Sequence, residues 1–353
     1  MQVLSIRRIV AVLLALLVAT PFGYGVLPSP AAAGTTTWQD VAGAERGDEG
    51  IEALAYLPTE FVIHDGDSIT WTFPTGEPHT VTLVYPFGTS NLTHEKCNGT
   101  DSNTGACTWD GSSGVNSGRI QDGGTFTVTF GPAVSPGDYV FQCLFHKSMT
   151  GTVHVQAANT SYPHDQQFYT QQGQQQARQL IQEANQLAAE ERQATVAGHS
   201  GDAVTIGDGF ATSTSTSNPS GTLQSVMIAR FLQPTTTVHV GDTVTFTAND
   251  ANTPHTVTLG VEPGNPQATV GLTVVGTPSP PVAGAATPSS PYPQLGVGPT
   301  ISSGFLGDSV PIWHGSSFKL TFTQAGTYRY YCALHDDLGM VGTVNVIPKG
   351  HQS

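Results

Sequence analysis

Charge is what this sequence has least of: its 353 residues include 12 Lys and Arg against 26 Asp and Glu. A net charge of −14 with so few cations argues against nucleic acid as a partner. Long apolar runs are also missing, with one exception near the start. Ile9 to Thr20 is an apolar stretch of about 12 residues, short of the roughly 20 that cross a bilayer. Arg7 and Arg8 precede it and Ala31-Ala32-Ala33 follows, the layout of an export signal over residues 1–33. An uncleaved anchor is the rival reading; otherwise no membrane span is expected in the mature chain. Loss of the signal removes two arginines and no acids, leaving 10 basic and 26 acidic residues, or −16. Sulfur is scarce as well, with four cysteines and four methionines.

What the chain does have is glycine and proline, 40 and 24 residues, and stretches in which threonine alternates with apolar residues. That composition favours β-strands separated by many turns. The chain also repeats itself. FVIHDGDSITWTFPTGEPHTVTL (Phe61–Leu83) aligns with TTVHVGDTVTFTANDANTPHTVTL (Thr236–Leu259), and Phe126–Val155 aligns with Phe318–Val346. Each copy is about 100 to 130 residues, too long a period for a solenoid, so this is a duplicated domain. Ser68–Phe73 and Thr243–Thr247 have the two-residue period of half-buried strands, as do Thr80–Leu83, Thr127–Phe130, Tyr139–Cys143 and Thr152–Val155. Several such strands per copy imply an all-β architecture of two Greek-key β-sandwiches. The expected organisation is a first domain over 34–156, a second over 223–353, and a connecting segment over 157–222. In the connection, Leu180, Ile181, Ala184, Leu187 and Ala188 fall at helical spacing within Asp165–Ala194, while Ala197–Gly221 reads as a flexible linker. Gly276–Pro293 reads as a loop without fixed structure inside the second copy.

The sulfur is concentrated in two places. YVFQCLFHKSMTGTVHV (Tyr139–Val155) and YRYYCALHDDLGMVGTVNV (Tyr328–Val346) each run Cys, His, Met, with two residues between His and Met in the first and four in the second. Upstream, Pro78-His79-Thr80 and Pro254-His255-Thr256 supply a second histidine at equivalent points of the repeat. A soft thiolate, two imidazoles and a thioether suit copper cycling between two oxidation states.

With these motifs the chain resembles the cupredoxins, the type 1 blue copper proteins that include plastocyanin, amicyanin and pseudoazurin. The resemblance covers both copies, not the helix or the linker. It implies one copper per domain, held by His79, Cys143, His146 and Met149 in the first and by His255, Cys332, His335 and Met340 in the second. The first loop is similar to that of amicyanin and the second to that of plastocyanin. Thr80 and Thr256 stand where plastocyanins often have asparagine, so hydrogen bonding around the site is expected to differ. The remaining cysteines, Cys97 and Cys107 in CNGTDSNTGAC, have no counterpart in the second copy and are expected to form a disulfide.

Two-domain copper enzymes of this family place a histidine directly before the ligand cysteine and use His-x-His pairs. Here Gln142 and Tyr331 precede the cysteines and no His-x-His occurs. The expected function is therefore electron transfer by an exported two-copper protein (periplasmic, extracellular or on the outer face of the cytoplasmic membrane), not catalysis. Copper storage or delivery is the alternative, and a copper oxidase or nitrite reductase a more distant one. By analogy with the family, His146 and His335 would form the solvent edge through which electrons leave to redox protein partners. Residues 34–155 hold 14 acidic and 4 basic residues (−10) and residues 223–353 hold 6 and 4 (−2), so a basic partner is expected to dock on the first domain.

Overall fold

The computed structural model describes residues 35–45, 50–84, 95–98, 104–146, 148–198, 202–209, 211–213, 223–250, 252–262, 287–307 and 317–350. The export signal therefore lies outside the described residues, as does most of the loop expected at Gly276–Pro293. Among the described residues no helix is long and apolar enough to cross a membrane.

The first copy forms β1 (Thr37–Glu45), β2 (Ile51–Leu57), β3 (Glu60–His64), β4 (Ser68–Phe73), β5 (Thr82–Leu83) and β6 (Glu95–Asn98). It continues with β7 (Thr104–Trp109), β8 (Gly114–Asn116), β9 (Gly124–Phe130), β10 (Gly137–Gln142) and β11 (Thr150–Gln156). Helix α1 (Gln166–Gly198) follows, then β12 (Ala203–Asp208), β13 (Ala211–Ser213), β14 (Leu223–Phe231), β15 (Thr235–His239) and β16 (Thr243–Ala248). The chain ends with β17 (Thr258–Leu259), β18 (Ile301–Ser302), β19 (Ser317–Thr321), β20 (Gly326–Tyr331) and β21 (Val341–Ile347).

The duplication extends through the topology. In the first copy β1 pairs antiparallel with β2 and parallel with β4, while β3 runs parallel to β11. In the second, β12 pairs with β14 and β16, and β15 with β21, in the same senses. Each copy packs its part of one large sheet against a smaller sheet of its own, β3-β11-β10-β5-β8-β6 or β15-β21-β20-β17-β18. Matching aromatics fill the space between: Trp71 of β4 meets Phe141 of β10 at 5.2 Å, and Phe246 of β16 meets Tyr330 of β20 at 5.1 Å. The fold is thus built mainly of β-strands arranged as two sandwiches.

The sandwiches are not loosely tethered. β14 pairs antiparallel with β2, Ser225 opposite Leu54 and Ile228 opposite Ile51, so the large sheet runs β19-β16-β12-β14-β2-β1-β4-β9-β7 through both copies. The segment expected to be a flexible linker instead contains β12 and β13, and the helix extends to Gly198. The physical reason lies in Ala203–Asp208, whose alternating Val204 and Ile206 are buried and complete the second sandwich as β1 completes the first.

Helix α1 covers this junction. Asp165 caps it, its carboxylate accepting the N–H of Phe168 at 2.9 Å. Its stripe of Leu180, Ile181, Ala184 and Ala188 packs on Ile51, Ala53, Ala55 and Leu57 of β2 and on Val226 and Ile228 of β14. The alternate residues of the same strands, Leu54, Tyr56, Met227 and Ala229, face the sandwich cores. Coverage on both faces explains why β2 is buried along its whole length.

Candidate metal centres

Each centre is built from a turn and a loop. His79 lies just ahead of β5, its backbone fixed by paired hydrogen bonds with Ile120, both 3.0 Å. His255 is held in the same way by Leu306, at 3.0 and 2.8 Å. The cysteines follow the last residues of β10 and β20. In both loops the N–H of the cysteine donates to the carbonyl of the methionine at 3.0 Å, Cys143 to Met149 and Cys332 to Met340. The same closure therefore forms with two or four residues between His and Met. In the longer loop Gly339, at φ +82°, takes the left-handed turn that absorbs the extra length.

These loops bring the expected donors together. In the first centre Cys143 Sγ lies 3.5 Å from His146 Nδ1 and 3.9 Å from His79 Nδ1, and the two Nδ1 atoms are 3.1 Å apart. In the second, Cys332 Sγ lies 3.4 Å from His335 Nδ1, and the Nδ1 atoms of His255 and His335 are 3.2 Å apart. All six residues are buried, and so are Met149 and Met340 at the loop ends. Thr80 and Thr256 each act twice. Their N–H groups donate to the cysteine sulfur at 3.5 and 3.3 Å, and their hydroxyls accept the N–H of Leu144 at 3.0 Å and of Ala333 at 2.7 Å. The threonine hydroxyl thus ties the histidine turn to the cysteine loop.

The outer nitrogens have partners that the sequence reading missed. His79 Nε2 donates to Glu52 of β2 at 3.1 Å, and His255 Nε2 to Asp250 at 3.3 Å. His146 Nε2 donates to Oε1 of Glu77 at 3.0 Å, while His335 Nε2 lies 3.5 Å from Oε2 of the same residue. A carboxylate on the outer edge fixes the ring and leaves Nδ1 as the inward-facing donor atom. Glycines make room for two of these rings. Gly43 and Gly207, at φ +82° and +59°, sit where the registers of β1 and β12 shift, and a Cβ there would lie 2.6 Å from His79 Nε2 or 2.2 Å from His255 Nε2.

Burial alone would raise the Cys143 thiol, but the imidazoles of His146 and His79 hold it well below the ordinary range. Cys332 is lowered in the same way by His335 and His255. Against the effect of burial, Cys143 and Glu77 push His146 up to about 10, and Cys332 and Glu77 raise His335. Glu77 is buried too, yet the two imidazoles keep its carboxylate well below the usual range. Each cysteine sulfur thus lies where the neighbouring rings favour its anionic form.

One expectation needs correction. His146 and His335 are 1% and 2% exposed, so neither forms a solvent edge. Each loop is covered at the junction of the sandwiches, where both rings end on Glu77 and Arg230 donates to the carbonyl of Leu338 at 2.8 Å. Away from the centres, Cys107 is disulfide-bonded and Cys143 and Cys332 are free. The side chain of Cys97 lies outside the described residues.

Signals for the missed residues were faint. Glu77 stands directly before Pro78-His79, but its counterpart in the second copy is Thr253. Glu52 and Asp250 serve equivalent histidines from unrelated positions, so comparison of the copies hides both.

The described residues thus form a duplicated β-sandwich with a buried Cys–His–His cluster in each half that could hold a metal ion. Residues 44–156 and 307–347 match the family model for copper binding proteins of the plastocyanin/azurin family. In these segments the chain is similar to that family. It is 47% identical over 32 residues to a plastocyanin of Sambucus nigra, 9% of this chain and 32% of that protein. The chain thus spans about a third of the length of the curated relatives it matches. Among solved structures, a mutant plastocyanin of fern overlays with a TM-score of 0.22 at 22% identity, covering 41% of this chain and 99% of that one. A mutant amicyanin in its Cu(I) form gives a TM-score of 0.22 at 21% identity, covering 43% and 89%.

Proposed function

We propose that this chain is an exported electron-transfer protein with one type 1 copper in each half. The ligands are His79, Cys143, His146 and Met149 in the first and His255, Cys332, His335 and Met340 in the second. The observation that carries this reading is the pair of buried clusters, each with a cysteine sulfur against two inward-facing Nδ1 atoms. The donor set fits copper: soft sulfur favours the reduced ion and imidazole serves both oxidation states. Bound there, copper would supply a one-electron couple. The protein's part is to hold the donors still. The hydrogen-bonded loops, the carboxylates on the outer nitrogens and the N–H groups of Thr80 and Thr256 on sulfur fix the geometry in advance. Gln142 and Tyr331 occupy the positions where enzymes of the family carry a histidine, which favours a carrier over an oxidase or nitrite reductase. Full burial of both clusters also favours retention of the metal over its delivery.

The test is copper stoichiometry together with absorption and paramagnetic resonance spectra of the mature protein. Two equivalents are expected. Cys143→Ser should remove one equivalent and one sulfur-to-copper band, and Cys332→Ser the other. A variant that keeps both bands would overturn the ligand assignment.

A further inference from the structure

The carboxylate of Glu77 occupies the junction between the two loops, with Oε1 3.0 Å from His146 Nε2 and Oε2 3.5 Å from His335 Nε2. One buried anion therefore accepts the N–H of His146 and lies within ion-pair distance of His335. This is not a by-product of duplication, because Thr253 fills the matching place in the second copy. We propose that Glu77 is a positioning residue shared by both centres, and that it makes them one electrostatically coupled unit.

The inference rests on reading His146 and His335 as ligands. A carboxylate on Nε2–H strengthens Nδ1 as a donor. A negative charge between two buried sites also favours the more highly charged metal state in each. Charge gained or lost at one centre changes the interaction of its imidazole with Glu77, and so changes how strongly the same carboxylate serves the other.

The experiment places Glu77→Gln in the full protein and in the Cys143→Ser and Cys332→Ser variants, which isolate one centre each. The amide is uncharged and puts an NH2 donor in place of one carboxylate oxygen, so one imidazole N–H loses its acceptor there. The expected result in both single-centre variants is a loss of about tenfold or more in Cu(II) affinity, with a positive shift of the midpoint potential. An effect at one centre only, or at neither, overturns the proposal. Glu77→Asp keeps the anion and should recover most of the potential shift; no recovery has the same consequence. Arg230→Gln loosens the same junction without touching an imidazole. If it reproduces both changes, packing rather than the shared anion is responsible and the proposal fails. Failure of the ligand reading is distinguishable, since the cysteine variants with Glu77 intact would then still bind two equivalents.

Discussion

Asp40 lies in the middle of β1, 1% exposed, and one of its carboxylate oxygens has no hydrogen-bond partner. Burial raises its pKa well above the ordinary carboxyl range. The folded chain therefore holds this proton more tightly than the unfolded chain. Stability should decline as pH rises from about 4 through the folded pKa, and stay lower above it. Asp40→Asn should stabilise the protein at pH 7 by about 1–3 kcal/mol, and the gain should shrink as the pH is lowered. Urea denaturation of both forms at pH 7 and pH 4 checks this; a gain independent of pH would exclude ionisation as the cause. Residues differ widely in how legible such roles are in the sequence. Cys143, His146 and Met149 announce themselves because their spacing is local and recurs at Cys332, His335 and Met340. Glu52, Glu77 and Asp250 act across the fold, and nothing in their local sequence says which imidazole they face.

At the scale of elements, α1 presents a test of packing against propensity. Gly173 would ordinarily gain about 1 kcal/mol on replacement by alanine inside a helix. Here a Cβ would stand 2.5 Å from the backbone carbonyl group of Leu57, where β2 ends beneath the helix. Gly173→Ala should therefore destabilise the protein by about 1–3 kcal/mol, as overpacked positions do. A rise in Tm would show that the helix shifts freely over β2. Leu180→Ala, which empties a buried contact with β2 and β14, should cost about 2–5 kcal/mol. The helix itself was legible from its apolar stripe, as were most of the longer strands from their alternation. β12 and β13 were not, because six and three residues among Gly, Ser and Thr look the same whether they float or pair. Only the open edge of the second sandwich decides between these states.

At the scale of the whole molecule, charge is divided unevenly, −10 over residues 34–155 and −2 over residues 223–353. Steering by exposed charge weakens as the Debye length falls from about 30 Å at 0.01 M salt to about 10 Å at 0.1 M. Stopped-flow reaction with a cationic redox partner should therefore slow over this range. The slowing should be greater for the Cys332→Ser variant, which keeps the first centre, than for Cys143→Ser. Equal salt slopes would remove the first half as a preferred docking face.

The continuous sheet has a consequence for the halves taken singly. A chain ending at Gly198 would keep its own sandwich and helix, but would leave the backbone N–H and C=O groups of Ile51–Leu54 without the strand that now meets them. The two halves already join as a symmetric dimer would, antiparallel through equivalent strands. Such a fragment should self-associate through β2, with a stability that rises with its concentration, as sedimentation and dilution would reveal. In the intact chain the same association is intramolecular, so it persists at any dilution.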